Sequence, residues 1–208
     1  MRRALLLTVA LLLVACSDDD SGSNPTTTSS TTEAPADASS SSTTATSPPE
    51  PSPIALRGDG LGVIALGAIP DVAVQAISDE LGDPSEDTGW EPSASSYGTC
   101  PGDQIRGVEW GGLVLLFTDG TTPYGTGEHL FTWRVTDAPP PVATAKGLGY
   151  GATAADAEEL YPDHVERVPA EDPFPAFLEI DAEGGQITAY LDDDDTITNL
   201  EAGAACGE

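Results

Sequence analysis

Apolar and polar positions divide the chain into three stretches. From Ala4 to Val14 every residue but Thr8 is apolar. From Ser17 to Pro53 the only aliphatic residues are alanines, and there are no aromatics. From Ile54 onward apolar positions return with regular spacing, and there they predict elements. Ala73, Ala76, Ile77 and Leu81 share one face at helical spacing. Pro70 suits the first helical position, and Gly82 followed by Pro84 ends the run. A second stripe, Ala157, Leu160 and Tyr161, is opened by a capping box of Thr153 and Asp156 and stopped by Pro162. Alternating runs predict strands at Ile105–Trp110, Leu113–Phe117, Leu130–Val135, Phe177–Asp181, Gln186–Leu191 and Thr196–Leu200. Gly111-Gly112, Gly184-Gly185 and Asp192–Asp195 mark turns between them.

The order, helix then three strands, occurs twice. Gly60-Leu61-Gly62 opens one copy and Gly147-Leu148-Gly149 the other, each followed by Gly-Ala (Gly67-Ala68, Gly151-Ala152). The expected fold class is α+β: two helix-plus-three-strand antiparallel repeats forming one sheet backed by helices. The halves are 54–138 and 139–208, joined at Pro139-Pro140-Pro141. Gly67, Gly82, Gly151, Thr153 and Gly203 carry a resemblance to the beta-lactamase-inhibitor-protein-like fold, which small outer-membrane assembly lipoproteins share. That resemblance covers most of 58–203. It implies a protein that binds other proteins or envelope components, with no active site to transfer.

The apolar start follows Arg2 and Arg3 and is too short to span a membrane, which takes about 20 apolar residues. It reads as the leader of an exported protein. Leu13-Val14-Ala15-Cys16 resembles the bacterial lipobox at all four positions. In that family the leader, here residues 1–15, is removed and Cys16 is diacylated. The resemblance therefore implies a lipid anchor on the outer side of the cell membrane. Residues 16–53 are rich in Ser, Thr and Pro and hold six carboxylates with no Lys or Arg. They cannot bury enough apolar surface to fold, so they are expected to be a disordered linker, roughly 35 Å long as a flexible coil. Residues 54–208 are long enough for a core of their own.

Charge narrows the partners. Residues 54–208 carry 29 carboxylates against Arg57, Arg106, Arg134, Lys146 and Arg167, a net −24. Nucleic acid and anionic headgroups both require cationic surface, so neither is expected as a partner. No cofactor is expected.

Candidate chemistry is sparse. With Cys16 lipidated, Cys100 and Cys206 remain, and an even pair in an exported domain predicts a disulfide. Gly147–Ala152 matches a dinucleotide fingerprint only superficially, because no buried strand precedes it. His129 and His164 lack metal-ligand spacing. Asp192–Asp195 is acidic enough for a cation but lacks the order of a calcium loop. Arg57-Gly58-Asp59 matches an adhesion tripeptide. Trp110 and Trp133 are either core or an aromatic binding surface. The expected function is a lipid-anchored, non-enzymatic binding module for an unknown protein or envelope component. The alternatives are a cell-wall hydrolase using paired carboxylates and a cation-binding envelope protein.

Overall fold

A computed structural model of the protein describes residues 54–137 and 139–207. The leader, Cys16 and the Ser/Thr/Pro linker lie outside the described residues. Strands β1 (Ala55–Arg57), β2 (Gly60–Leu61) and β3 (Ile64–Ala65) form a small meander. Gly58 in its first turn has no room for a side chain: a Cβ there would lie 2.1 Å from the carbonyl carbon of Gly185. Helix α1 (Pro70–Leu81) starts on a proline, whose missing N–H has no partner to lose at that position. It buries Pro70, Ala73 and Ile77, and ends where the Gly82 N–H bonds the Ser78 carbonyl at 2.9 Å.

Strands β4 (Glu86–Asp87), β5 (Glu91–Ser95), β6 (Gly98–Trp110), β7 (Leu113–Thr118), β8 (Thr121–Thr122), β9 (Gly125–Thr126) and β10 (His129–Val135) follow. After β11 (Ala143–Thr144) comes α2 (Ala154–Leu160), then β12 (Val165–Val168), β13 (Phe177–Ala182), β14 (Gly185–Leu191) and β15 (Ile197–Gly203). The capping box of α2 is present, with the Asp156 N–H donating to Thr153 Oγ1 at 3.2 Å and the Thr153 N–H to Asp156 Oδ2 at 2.8 Å.

One antiparallel sheet has the order β12-β13-β14-β15-β10-β7-β6-β4, with β5 also on β6. Each half thus contains a three-stranded meander, β6-β7-β10, interrupted by the β8–β9 hairpin, and β13-β14-β15. They meet where β10 pairs with β15, Trp133 opposite Ala202 and Arg134 opposite Glu201. A second sheet, β11-β1-β2-β3, lies outside this one, with β1 and β11 parallel.

The expected helix-backed α+β repeat is corrected by these proportions: 49% strand against 12% helix, with only two helices among the described residues. The physical reason is what covers the inner face of the large sheet. Leu56, Leu61 and Ile64 of the small sheet, with Val142 and Leu148, supply much of the cover. The helices contribute mainly small groups, Ala73, Ala154 and Ala157, plus Ile77. Nor are the halves separate units, because β1 of the first pairs with β11 of the second.

The reading of Trp110 and Trp133 as a binding surface is also corrected. They are 4% and 0% exposed. Both occupy inward strand positions, beside Val108 and Val135. Each indole N–H donates to a carbonyl, Trp110 to Gly82 and Trp133 to Arg57, both at 3.0 Å, so full burial leaves no donor unmet.

Candidate binding face

Alternation assigns each residue of the large sheet to one of two faces. Inward positions, such as Leu115, Trp133, Leu178, Ile187 and Leu200, join the main core. The outward positions differ between the halves. In the first half Ile105, Val114, Leu116 and Phe131 form a second buried cluster with Cys100. Its cover is Tyr97, Ala204 and Cys206. The Tyr97 ring lies directly over Gly107, where a Cβ would come 2.4 Å from the phenol oxygen. Its hydroxyl donates to Glu109 Oε1 at 2.9 Å. Burial, and then that carboxylate, push the Tyr97 phenol up. The tail is held by Thr99 and Gly207, which exchange backbone bonds at 2.7 and 2.8 Å. The Cys100 and Cys206 sulfurs are bonded, with Cα atoms 4.2 Å apart.

In the second half the outward positions are polar and aromatic. One row crosses the sheet in register: Glu166, Glu179, Thr188, Glu201 and Arg134. Phe177 and Tyr190 form the next row, their rings 5.8 Å apart and tilted at 47°. Tyr190 donates to Glu201 Oε1 at 3.0 Å. Glu201 Oε2 lies 3.1 Å from Arg134 Nε, an ion pair outside hydrogen-bond geometry. Burial, and then the Glu201 charge, push the Tyr190 phenol up to about 12.

A groove of about 450 Å³ runs over this face. Phe177, Glu179, Thr188, Tyr190 and Glu201 line its floor, with Asp59 and Tyr124 also on its lining. A shallower depression beside it, between His164, Glu166 and Asp181, shares Glu179 and Gln186 with the groove. Alternation carried a signal for this face: Phe177 and Tyr190 are large aromatics at outward positions of strands whose inward positions are already filled by Leu178, Ile180, Ile187 and Ala189.

Of the other sequence candidates, only Gly58 and Asp59 line this groove. Asp192 caps its own turn, accepting from the Asp194 and Thr196 N–H groups at 2.9 and 2.8 Å. Asp195 is ion-paired to Arg167, whose hydrogen bond holds its carboxyl below the usual range. Among the described residues no three His, Cys, Asp or Glu converge to hold a metal ion. His129 is buried at the start of β10, with Nδ1 2.6 Å from the Gly127 carbonyl and Nε2 2.6 Å from Thr122 Oγ1. Arg57 and Asp59 clasp each other across Gly58, at 2.8 Å through both Nε and Nη2, so the tripeptide is a structural turn. The glycines of 147–151 lead into the seven-residue α2, with the Gly151 N–H bonded to the Ile197 carbonyl at 2.9 Å. Among the described residues no helix is long and apolar enough to cross a membrane. Neither a protein-family model, nor a curated protein, nor a solved structure matches the chain.

Proposed function

We propose that this protein is a binding module that performs no turnover, held at the outer side of a membrane by lipid on Cys16, and that it engages its partner through the outward face of β13, β14 and β15. The observation that carries this reading is the difference in cover. The same sheet buries its outward face beneath Tyr97 and the C-terminal tail in one half, and presents aromatic and acidic side chains over a groove in the other. Aromatic rings at outward strand positions are typical anchors of protein interfaces. The lipobox at Leu13–Cys16 and the long polar linker support a tethered position.

A wall hydrolase would need two free carboxylates facing each other across a cleft. Here Glu201 is engaged by Tyr190 and Arg134, and the groove is an open sheet surface. The test has two parts. Cys16→Ala should abolish labelling by a palmitate analogue and release the protein from membranes; retained label would exclude the anchor. A photo-crosslinking residue at Tyr190 should capture a discrete envelope protein in native cells, and one at Tyr97 should not. Equal capture at both positions, or none at Tyr190, would exclude the binding face.

A further inference from the structure

Resting on the proposed binding face, we infer that the groove takes a basic polypeptide segment, seating a Lys or Arg side chain with its stem on Phe177 and Tyr190 and its charge on Glu179.

The first ground is charge within the groove. Its charged lining comprises Asp59, Glu179 and Glu201 and no Lys or Arg. The Glu179 carboxylate has no hydrogen bond or ion pair among the described residues, whereas Asp59 is held by Arg57 and Glu201 by Tyr190 and Arg134. The unmatched charge therefore sits at Glu179, two residues along β13 from Phe177 and on the same face.

The second ground is shape and ring chemistry. The tilted Phe177–Tyr190 pair offers an apolar surface beside that carboxylate. Long cationic side chains are suited to such a place, laying methylenes on apolar surface while the head meets a carboxylate or a ring face. The Tyr190 hydroxyl donates to Glu201, and with its phenol held up to about 12 the ring stays neutral at physiological pH.

The third ground is the state of the protein's own cations. Arg57, Arg106, Arg134 and Arg167 are each paired with Asp or Glu. Lys146 donates to the Leu160 carbonyl and lies over the Tyr161 ring. Lys146 is thus the one described Lys or Arg without a carboxylate partner, and it lies outside the groove, so an anionic partner would find no positive group on this lining. A second copy of this chain, also at −28, would be repelled.

The test uses the full chain in neutral detergent, titrated with a hexapeptide of alternating Lys and Gly at physiological salt. Affinity should fall about tenfold in Glu179→Gln and again in Phe177→Ala. Glu179→Lys should abolish binding. The double change Asp193→Asn with Asp194→Asn removes two exposed charges at a distant turn and should alter affinity less than about twofold, apart from screening. Equal losses from the turn and groove variants would mean diffuse attraction to an acidic surface and would overturn the inference. So would spermine binding as tightly with the same dependence on Phe177, because that marks a small-amine site. Melting curves matching wild type establish that the variants fold. If crosslinks form at Tyr190 in cells but the peptide ignores Glu179, the basic segment is wrong and the binding face stands. If no crosslinks form, the face itself is wrong.

Discussion

The two halves share one sheet and treat its outward surface in opposite ways. In β6, β7 and β10 the outward residues Ile105, Val114, Leu116 and Phe131 are apolar and buried, so they require a cover. In β13, β14 and β15 the outward residues include Glu179, Thr188, Tyr190 and Glu201, which tolerate water, with Phe177 half-buried beside Tyr190. The first arrangement stabilises the fold; the second leaves a surface free to meet something else. The difference teaches that cover, more than strand order, separates a sealed face from an open one here. A contact such as Tyr97 over Gly107 also shows how closely the first face is sealed.

The largest expected effect tests the cover itself. The Cys100–Cys206 bond closes a sequence separation of 106 residues. In the chain-entropy account it stabilises by roughly 4–5 kcal/mol, so Cys206→Ser should lower the melting temperature by about 10 °C or more. It should also increase binding of an apolar dye, because the tail no longer seals Phe131 and Leu116. A melting temperature within about 2 °C of wild type would show that Tyr97 alone covers the first face.

Next in size is a pair of truncations at outward positions. Phe131→Ala removes a fully buried ring and should cost about 3–5 kcal/mol in denaturant unfolding. Phe177→Ala removes a half-buried ring on the open face and should change stability by less than about 1 kcal/mol. Similar losses at both would break the distinction between the faces.

Much of the sheet was legible because long strands with double-glycine or acidic turns announce themselves by alternation. Leu113–Phe117 and Gln186–Leu191 lie within β7 and β14 as read. The rest depended on partners distant in sequence. Strands of two or three residues, such as β1 and β2, are too short to show a period, yet their Leu56 and Leu61 carry inner-face cover that the periodicity assigns to helices. Trp110 and Trp133 looked the same from the sequence whether their face was core or surface; the carbonyls of Gly82 and Arg57, which make burial acceptable, are 28 and 76 residues away. The open face of the second half is not singled out by the sequence because outward polar positions read as ordinary solvent contact. Only the covered half, visible in three dimensions, makes the bare half informative.

Alkaline pH should act on both faces through one chemistry. Tyr97 and Tyr190 have phenols raised by burial and by a neighbouring glutamate. A raised folded value means stability is full below the unfolded value near 10. It then declines as pH rises toward and past about 12 for Tyr190. Spectroscopic titration of phenolate should show Glu201→Gln lowering the Tyr190 value while leaving Tyr97 in place. A shift in both would mean that the two faces are electrostatically coupled.

The smallest expected effect contrasts a paired carboxylate of the first half with the unpaired one of the groove. Arg106 bonds Asp87 through Nε at 2.9 Å and Nη2 at 2.6 Å, and this holds the Asp87 carboxyl below its usual range. A lowered folded value contributes stability above the unfolded value near 3.9, lost as pH falls through the folded one. The Arg106 side chain is 17% exposed and that of Asp87 34%, so screening by water keeps the contribution to about 0.5–1 kcal/mol. Asp87→Asn should therefore lower the melting temperature by about 2–4 °C at neutral pH and by progressively less in acid. Glu179→Gln, with no partner to lose and Glu166 opposite it, should not lower the melting temperature between neutral pH and acid. A destabilised Glu179→Gln would mean that this carboxylate serves the fold, and the groove would then lose the one charge left free for a ligand.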